Sequence, residues 1–84
     1  MITVRYFASL REAVGQDIEY FNYGEDVQTV RAVLDFCRAQ SKQHAEALSI
    51  TKVLRAALNQ TLTSLEAQVA DGDEIAFFPP VTGG

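Results

Sequence analysis

The sequence is poor in the residues that staple or anchor small proteins. Its 84 residues include one cysteine, one histidine, one methionine, two prolines and no tryptophan. A single Cys excludes an internal disulfide, so burial must hold the fold, and such usage suits a reducing compartment. One His with no second His or Cys beside it provides no metal site. Basic residues are scarce too: 7 Lys and Arg stand against 11 Asp and Glu, a formal net charge of −4. A phosphate backbone or an anionic lipid surface meets the wrong sign there. No basic run or Arg–aromatic stripe reverses it, so no nucleic acid and no membrane is an expected partner. No stretch approaches the ~18 apolar residues of a membrane span. The opening MITVRYFASLRE turns charged too early for a secretory signal. The expected location is cytoplasmic.

What is present is ordinary globular sequence, 48% hydrophobic and 21% charged. Surface scaling gives a chain of this size roughly 5,000 Å² of folded surface, against roughly 13,500 Å² unfolded. That allows one modest core and leaves little room for a deep cavity of its own.

Residues 2–8 alternate as a strand, with Ile2, Val4, Tyr6 and Ala8 on a core face and Thr3, Arg5 and Phe7 opposite. Ser9, three residues before Glu12, has the capping-box spacing for a short helix over 10–14, which Gly15 ends. Residues 17–23 are β-branched and aromatic and form a second strand. The period then becomes helical over 27–40, with Val30, Val33, Leu34 and Cys37 on one stripe and Asp26 or Thr29 as the N-cap. Cys37 on that stripe is a core residue rather than a catalytic thiol. Residues 41–48 form a short helix or a loop, with His44 as a solvated surface side chain.

Residues 52–58 form a strand, turned at Asn59-Gln60 into Thr61-Leu62. Leu65 and Val69 anchor the following segment, and Asp71-Gly72-Asp73 is a turn. Residues 74–78 are a last strand, which Pro79-Pro80 terminates. The helix crossover lets the first and last strands pair in parallel at the centre of a mixed sheet. The expected class is therefore α+β, a β-grasp (ubiquitin-like) sheet with one main helix packed on one face. The domain spans 1–78 and an extended tail spans 79–84.

That tail reads Pro79-Pro80-Val81-Thr82-Gly83-Gly84. The proline pair stiffens the path after the strand, and six extended residues reach roughly 20 Å. Two glycines without side chains make a tip narrow enough to enter a channel in another protein. If Ile75 and Phe77 face the helix, Phe78 lies outward beside Phe7, and Leu62 is a third member of an exposed apolar patch of the kind that marks an interface.

The ending Asp71-Gly72-Asp73-Glu74-Ile75-Ala76-Phe77-Phe78-Pro79-Pro80-Val81-Thr82-Gly83-Gly84, with Asn59-Gln60, Phe7, Arg11 and Glu12, resembles the small-subunit family of molybdopterin synthases. These belong to the ubiquitin-like sulfur carriers. The resemblance implies that a ubiquitin-activating-like adenylyltransferase uses ATP to adenylate the carboxylate of Gly84, which then becomes a thiocarboxylate. It implies that Phe7, Arg11, Leu62, Phe78, Pro79, Pro80, Val81 and Thr82 meet a large catalytic subunit in a heterotetramer, with Gly83 and Gly84 in that subunit's active site. There the sulfur passes to cyclic pyranopterin monophosphate, building the dithiolene in two transfers. No cofactor is expected on this chain itself; ATP is expected to be used by the activating enzyme, since the sequence has no phosphate-binding loop. Two relatives of this chemistry remain as alternatives: a ubiquitin-like modifier joined to lysines, and a thiamin-pathway sulfur carrier.

Overall fold

Strict alternation builds the first strand, β1 (Ile2–Tyr6): Ile2, Val4 and Tyr6 are fully buried while Thr3 and Arg5 are not. The computed structural model describes residues 1–49 and 54–80. After β1 come α1 (Ala8–Val14), β2 (Ile18–Phe21), α2 (Val30–Arg38), α3 (Lys42–Ala47), β3 (Arg55–Leu58), β4 (Thr61–Thr63) and β5 (Glu74–Phe78). The expected strand over 52–58 is present from Arg55; its first two residues lie outside the described residues.

The sheet order is β2-β1-β5-β3-β4. β1 and β5 are parallel at its centre, with Thr3 opposite Glu74 and Tyr6 opposite Phe77. Every other pairing is antiparallel. This is the β-grasp arrangement.

α2 supplies the main covering stripe. Val30, Val33, Leu34 and Cys37 are each at most 2% exposed, and burying each Val or Leu side chain is worth about 1.5–3 kcal/mol. Thr29 is its N-cap, with Oγ1 accepting from the Ala32 N–H at 3.1 Å. The helix therefore starts three residues later than the periodicity suggests, and Glu25–Val27 form a separate 3-10 turn. α1 and α3 join α2 on the same core, through Leu10 and Val14 and through His44, Ala47 and Leu48. Among the described residues α2 is the main helix on that face, and the shorter α1 and α3 close it beside α2.

Two local expectations are corrected at the first crossover. Ala8 is exposed rather than core-facing and begins α1 with φ 53°, a left-handed conformation. That bend starts the helix two residues before residue 10, so Ser9 lies inside it. Phe7 takes the N-cap position without a side-chain bond. Gly15 does end the helix, at φ 83°, its N–H donating to the Arg11 carbonyl at 2.9 Å.

The turns at the far end of the sheet are tied together. Asn59 and Gln60 have φ of 51° and 71°, the doubly left-handed geometry of a tight hairpin. Asn59 Nδ2 donates to Asp73 Oδ1 at 3.0 Å and Asn59 Oδ1 accepts from the Glu74 N–H at 2.9 Å. Asp73 Oδ2 accepts from the Ala70 N–H at 2.8 Å. These donors, the Ala70 amide foremost, hold the Asp73 carboxyl below its usual range.

Candidate functional site

The face of the sheet away from the helices has no covering layer among the described residues. Register defines its rows. Arg5 stands opposite Ala76, Ala76 opposite Ala57, and Ala57 opposite Leu62. One pleat nearer the end of β5, Phe78 stands opposite Arg55. Phe7 extends the central ladder, its N–H donating to the Phe77 carbonyl at 3.1 Å.

The small side chains of Ala57 and Ala76 make a floor, and Phe7 and Phe78 rise from it as walls. The result is an open depression of about 500 Å³, with Arg5 at its side and Gln60 and Glu74 at its far end. Phe7 is 41% exposed and Phe78 half-buried, whereas Phe77 beside it is fully buried on the other face. The alternation over 74–78 therefore sorts the side chains as expected: Ile75 and Phe77 inward, Phe78 outward beside Phe7.

Leu62 shares this face and is 68% exposed. It stands on the edge strand β4, with β3 between it and β5, roughly 10 Å of sheet away. The three large side chains form a pair and an outlier rather than one patch. Arg11 is exposed on α1, one turn after Phe7. Pro79 and Pro80 are half-buried directly after β5. Val81, Thr82, Gly83 and Gly84 lie outside the described residues.

Sequence reasoning missed Arg5, Ala57 and Ala76 as parts of this site. The spacing of Arg5 and Phe7, two apart on one strand, already placed them on one face. The alanine floor carries no signal until β3 and β5 are paired. Arg5 also lies over the Phe7 ring, its Cζ 5.8 Å from the centroid. Its Nε is buried without a hydrogen-bond partner among the described residues.

The two other residues weighed for chemistry sit on the covered side. Cys37 is fully buried; burial pushes its thiol from 9.0 up to about 12, far from a reactive thiolate. Tyr6 beside it is raised well above its ordinary value, chiefly by burial, with Cys37 and Glu19 adding.

The expectation of a solvated His44 is overturned: the side chain is 8% exposed. Ser41 caps α3, its Oγ accepting from the His44 backbone N–H at 3.0 Å and lying 2.7 Å from Nδ1. With that hydroxyl donating to Nδ1, Nε2–H donates to the Glu19 carboxylate, 3.0 Å from each oxygen. The Tyr6 hydroxyl donates to Glu19 Oε1 at 2.8 Å. This chain of bonds fastens α3 to β1 and β2. Its members satisfy one another under the helices, with no opening toward the depression.

Comparison with known proteins agrees with this fold. The sequence pattern of the ThiS family matches residues 4–84. The chain is 50% identical to the molybdopterin synthase sulfur carrier subunit of Escherichia coli strain K12, over 84 residues and all of both chains. It is 45% identical to the subunit of the same name from Haemophilus influenzae, again over all of both chains. Among solved structures it resembles SAMP1, small archaeal modifier protein 1, from Haloferax volcanii, with 29% identity and a TM-score of 0.74. That likeness covers 99% of this chain and 98% of the other. The full-length matches and the β-grasp topology together place the chain in the ThiS family, among the molybdopterin synthase sulfur carrier subunits.

Proposed function

We propose that this chain carries sulfur for a molybdopterin synthase as its small, non-catalytic subunit in molybdenum cofactor biosynthesis. The observation that carries the reading is the full-length match to sulfur carrier subunits of that enzyme. An open sheet face beside the root of the tail supports it. Residues 1–78 serve as a rigid body and residues 79–84 as the arm.

The free carboxyl of Gly84 has an ordinary pKa of about 3.5, so it is an anion at neutral pH and a poor electrophile. Adenylation by a separate ATP-using adenylyltransferase makes the acyl carbon reactive. A sulfur nucleophile then displaces AMP and leaves a thiocarboxylate, splitting a difficult transfer into two steps. Gly83 and Gly84 keep that carbon sterically open.

Phe7 and Phe78 form the apolar centre of the docking surface for the large subunit, with Leu62 as an outlying contact and Arg11 at the rim. Pro79, Pro80, Val81 and Thr82 line the way into the large subunit's active site, which supplies the general acids, bases and substrate ligands. The compartment that suits this chemistry is the cytoplasm, in a heterotetramer with the large subunit.

The test is an intact mass after incubation with the adenylyltransferase, ATP and a sulfur donor, followed by addition of the large subunit and cyclic pyranopterin monophosphate. One oxygen replaced by sulfur, then dithiolene formation, is the expected result. A thiocarboxylate that yields no dithiolene points to the thiamin pathway. Transfer that survives deletion of Gly84 overturns the mechanism. A second reading, a protein modifier, is favoured by the likeness to small archaeal modifier protein 1. Conjugates on lysines of other proteins, without sulfur transfer, would establish it.

A further inference from the structure

The chain is acidic overall, yet its arginines are not spread evenly. Of the five, Arg31 pairs with Glu66, and Arg38 pairs with Asp35 at 2.9 Å, both on the helix side. Arg5, Arg11 and Arg55 make no ion pair with the described residues. Arg5 and Arg55 stand at the Phe7–Phe78 end of the open face. Arg5 and Arg55 lie on the strands either side of β5, flanking Ala76 and Phe78. Arg11 follows Phe7 by one helical turn. The one acid lining the depression, Glu74, is at its opposite end.

Arg5 is the most informative of the three. A buried guanidinium nitrogen without an acceptor is rare in folded proteins, because it has given up water and gained nothing in return. Here the guanidinium rests on the Phe7 ring and covers one wall of the depression. An incoming carboxylate offers Arg a two-pronged partner that satisfies Nε and one Nη together. Leaving the ring for that partner also uncovers apolar surface on Phe7.

We propose that the partner docking on this face presents an acidic segment, with Arg5 as a swinging latch that leaves Phe7 to grip a carboxylate and Arg55 as the second cationic contact across Phe78. The inference rests on the docking reading above and adds the chemistry that selects the partner: an apolar anchor for the alanine floor, flanked by Asp or Glu.

The experiment is binding of the purified large subunit to the full chain, measured across a range of salt concentrations. Arg5→Gln is expected to weaken binding about tenfold and Arg55→Gln about fivefold, each flattening the dependence on salt. Arg5→Lys, a point charge without the fork, is expected to recover the salt dependence but only part of the affinity. Arg31→Gln removes the same charge from the helix side and is expected to bind like the parent chain. Parent-like binding by both Arg5→Gln and Arg55→Gln overturns the proposal while leaving the docking reading intact. An equal loss in Arg31→Gln also overturns it, because overall charge would then be responsible. No binding by the parent chain, or no effect of Phe78→Ala, brings down the docking reading itself. Circular dichroism of each variant separates lost binding from lost fold, since all four substituted side chains lie outside the core.

Discussion

The two faces of the sheet are written in the same five residues of β5 and serve opposite ends. Ile75 and Phe77 point into a core closed by three helices; Ala76 and Phe78 point out onto a face that no described element covers. On the covered face every large side chain is matched by neighbours. Even its polar groups, Tyr6, Glu19, His44 and Ser41, satisfy one another. On the open face the fit is unfinished: two aromatic walls, a floor of alanines, and an arginine nitrogen with no acceptor among the described residues. The difference separates the face that holds stability from the face proposed for docking.

The sharpest way to break that contrast is to truncate adjacent aromatics. Phe77→Ala is expected to cost about 3–5 kcal/mol, a large share of the roughly 5–15 kcal/mol of a typical domain, read from urea unfolding. Phe78→Ala is expected to cost under about 1 kcal/mol of stability and at least about 2 kcal/mol of binding to the large subunit. Equal destabilisation by the two would erase the distinction between the faces.

Next in size, Glu19→Ala strips acceptors from Tyr6 and His44 beneath the helices. It is expected to destabilise by about 2 kcal/mol while docking affinity stays at the parent value. A loss of affinity with unchanged stability would mean the buried network communicates with the open face.

Alkaline pH probes the covered side more gently. The Cys37 thiol is raised from 9.0 to about 12 in the fold. Between those values the unfolded chain has lost a proton that the folded chain keeps, so stability falls as pH rises. Well below pH 9 the contribution is complete, and it is lost progressively as pH rises from 9 toward 12. The check is the difference in unfolding free energy between the parent chain and Cys37→Ala, which lacks this slope. Thiol reagents at pH 8 are expected to label the native chain far more slowly than the urea-unfolded one.

The smallest effect belongs to the open side. Gln60 adopts φ 71° in the hairpin. Gln60→Gly is expected to stabilise by about 0.5 kcal/mol, raising Tm by a few degrees. Lower stability would mean that the Gln60 side chain contributes more than its backbone costs.

Much of this plan was legible in the residues, for identifiable reasons. The switch from period two to period 3.6 after Thr29, and the punctuation at Gly15, Asn59, Gly72 and Pro79, are local signals that delimit elements. Alternation over 74–78 puts Phe78 opposite Ile75 and Phe77, and burial of those two settles which face is outward. What the residues concealed depended on distant partners. His44 looks solvated because the carboxylate that receives it, Glu19, lies 25 positions away. Arg5 looks like an ordinary strand residue because its missing acceptor is visible only once Phe7 and the sheet surround it. The misplaced cap at Ser9 arose from a left-handed Ala8, a conformation that residue type does not advertise. Separation of Leu62 from the Phe7–Phe78 pair is likewise a matter of strand order rather than composition.

The central place of β5 has a mechanical consequence. Its ladder with β1 is parallel and its ladder with β3 antiparallel. A tug on Pro79 therefore drags β5 lengthwise against two neighbours at once. The inter-strand bonds on both sides must be sheared together instead of being unzipped one by one. Resistance to such a force is set by the height of the unfolding barrier rather than by equilibrium stability. Pro79 is thus rooted in a strand held by a neighbour on each side.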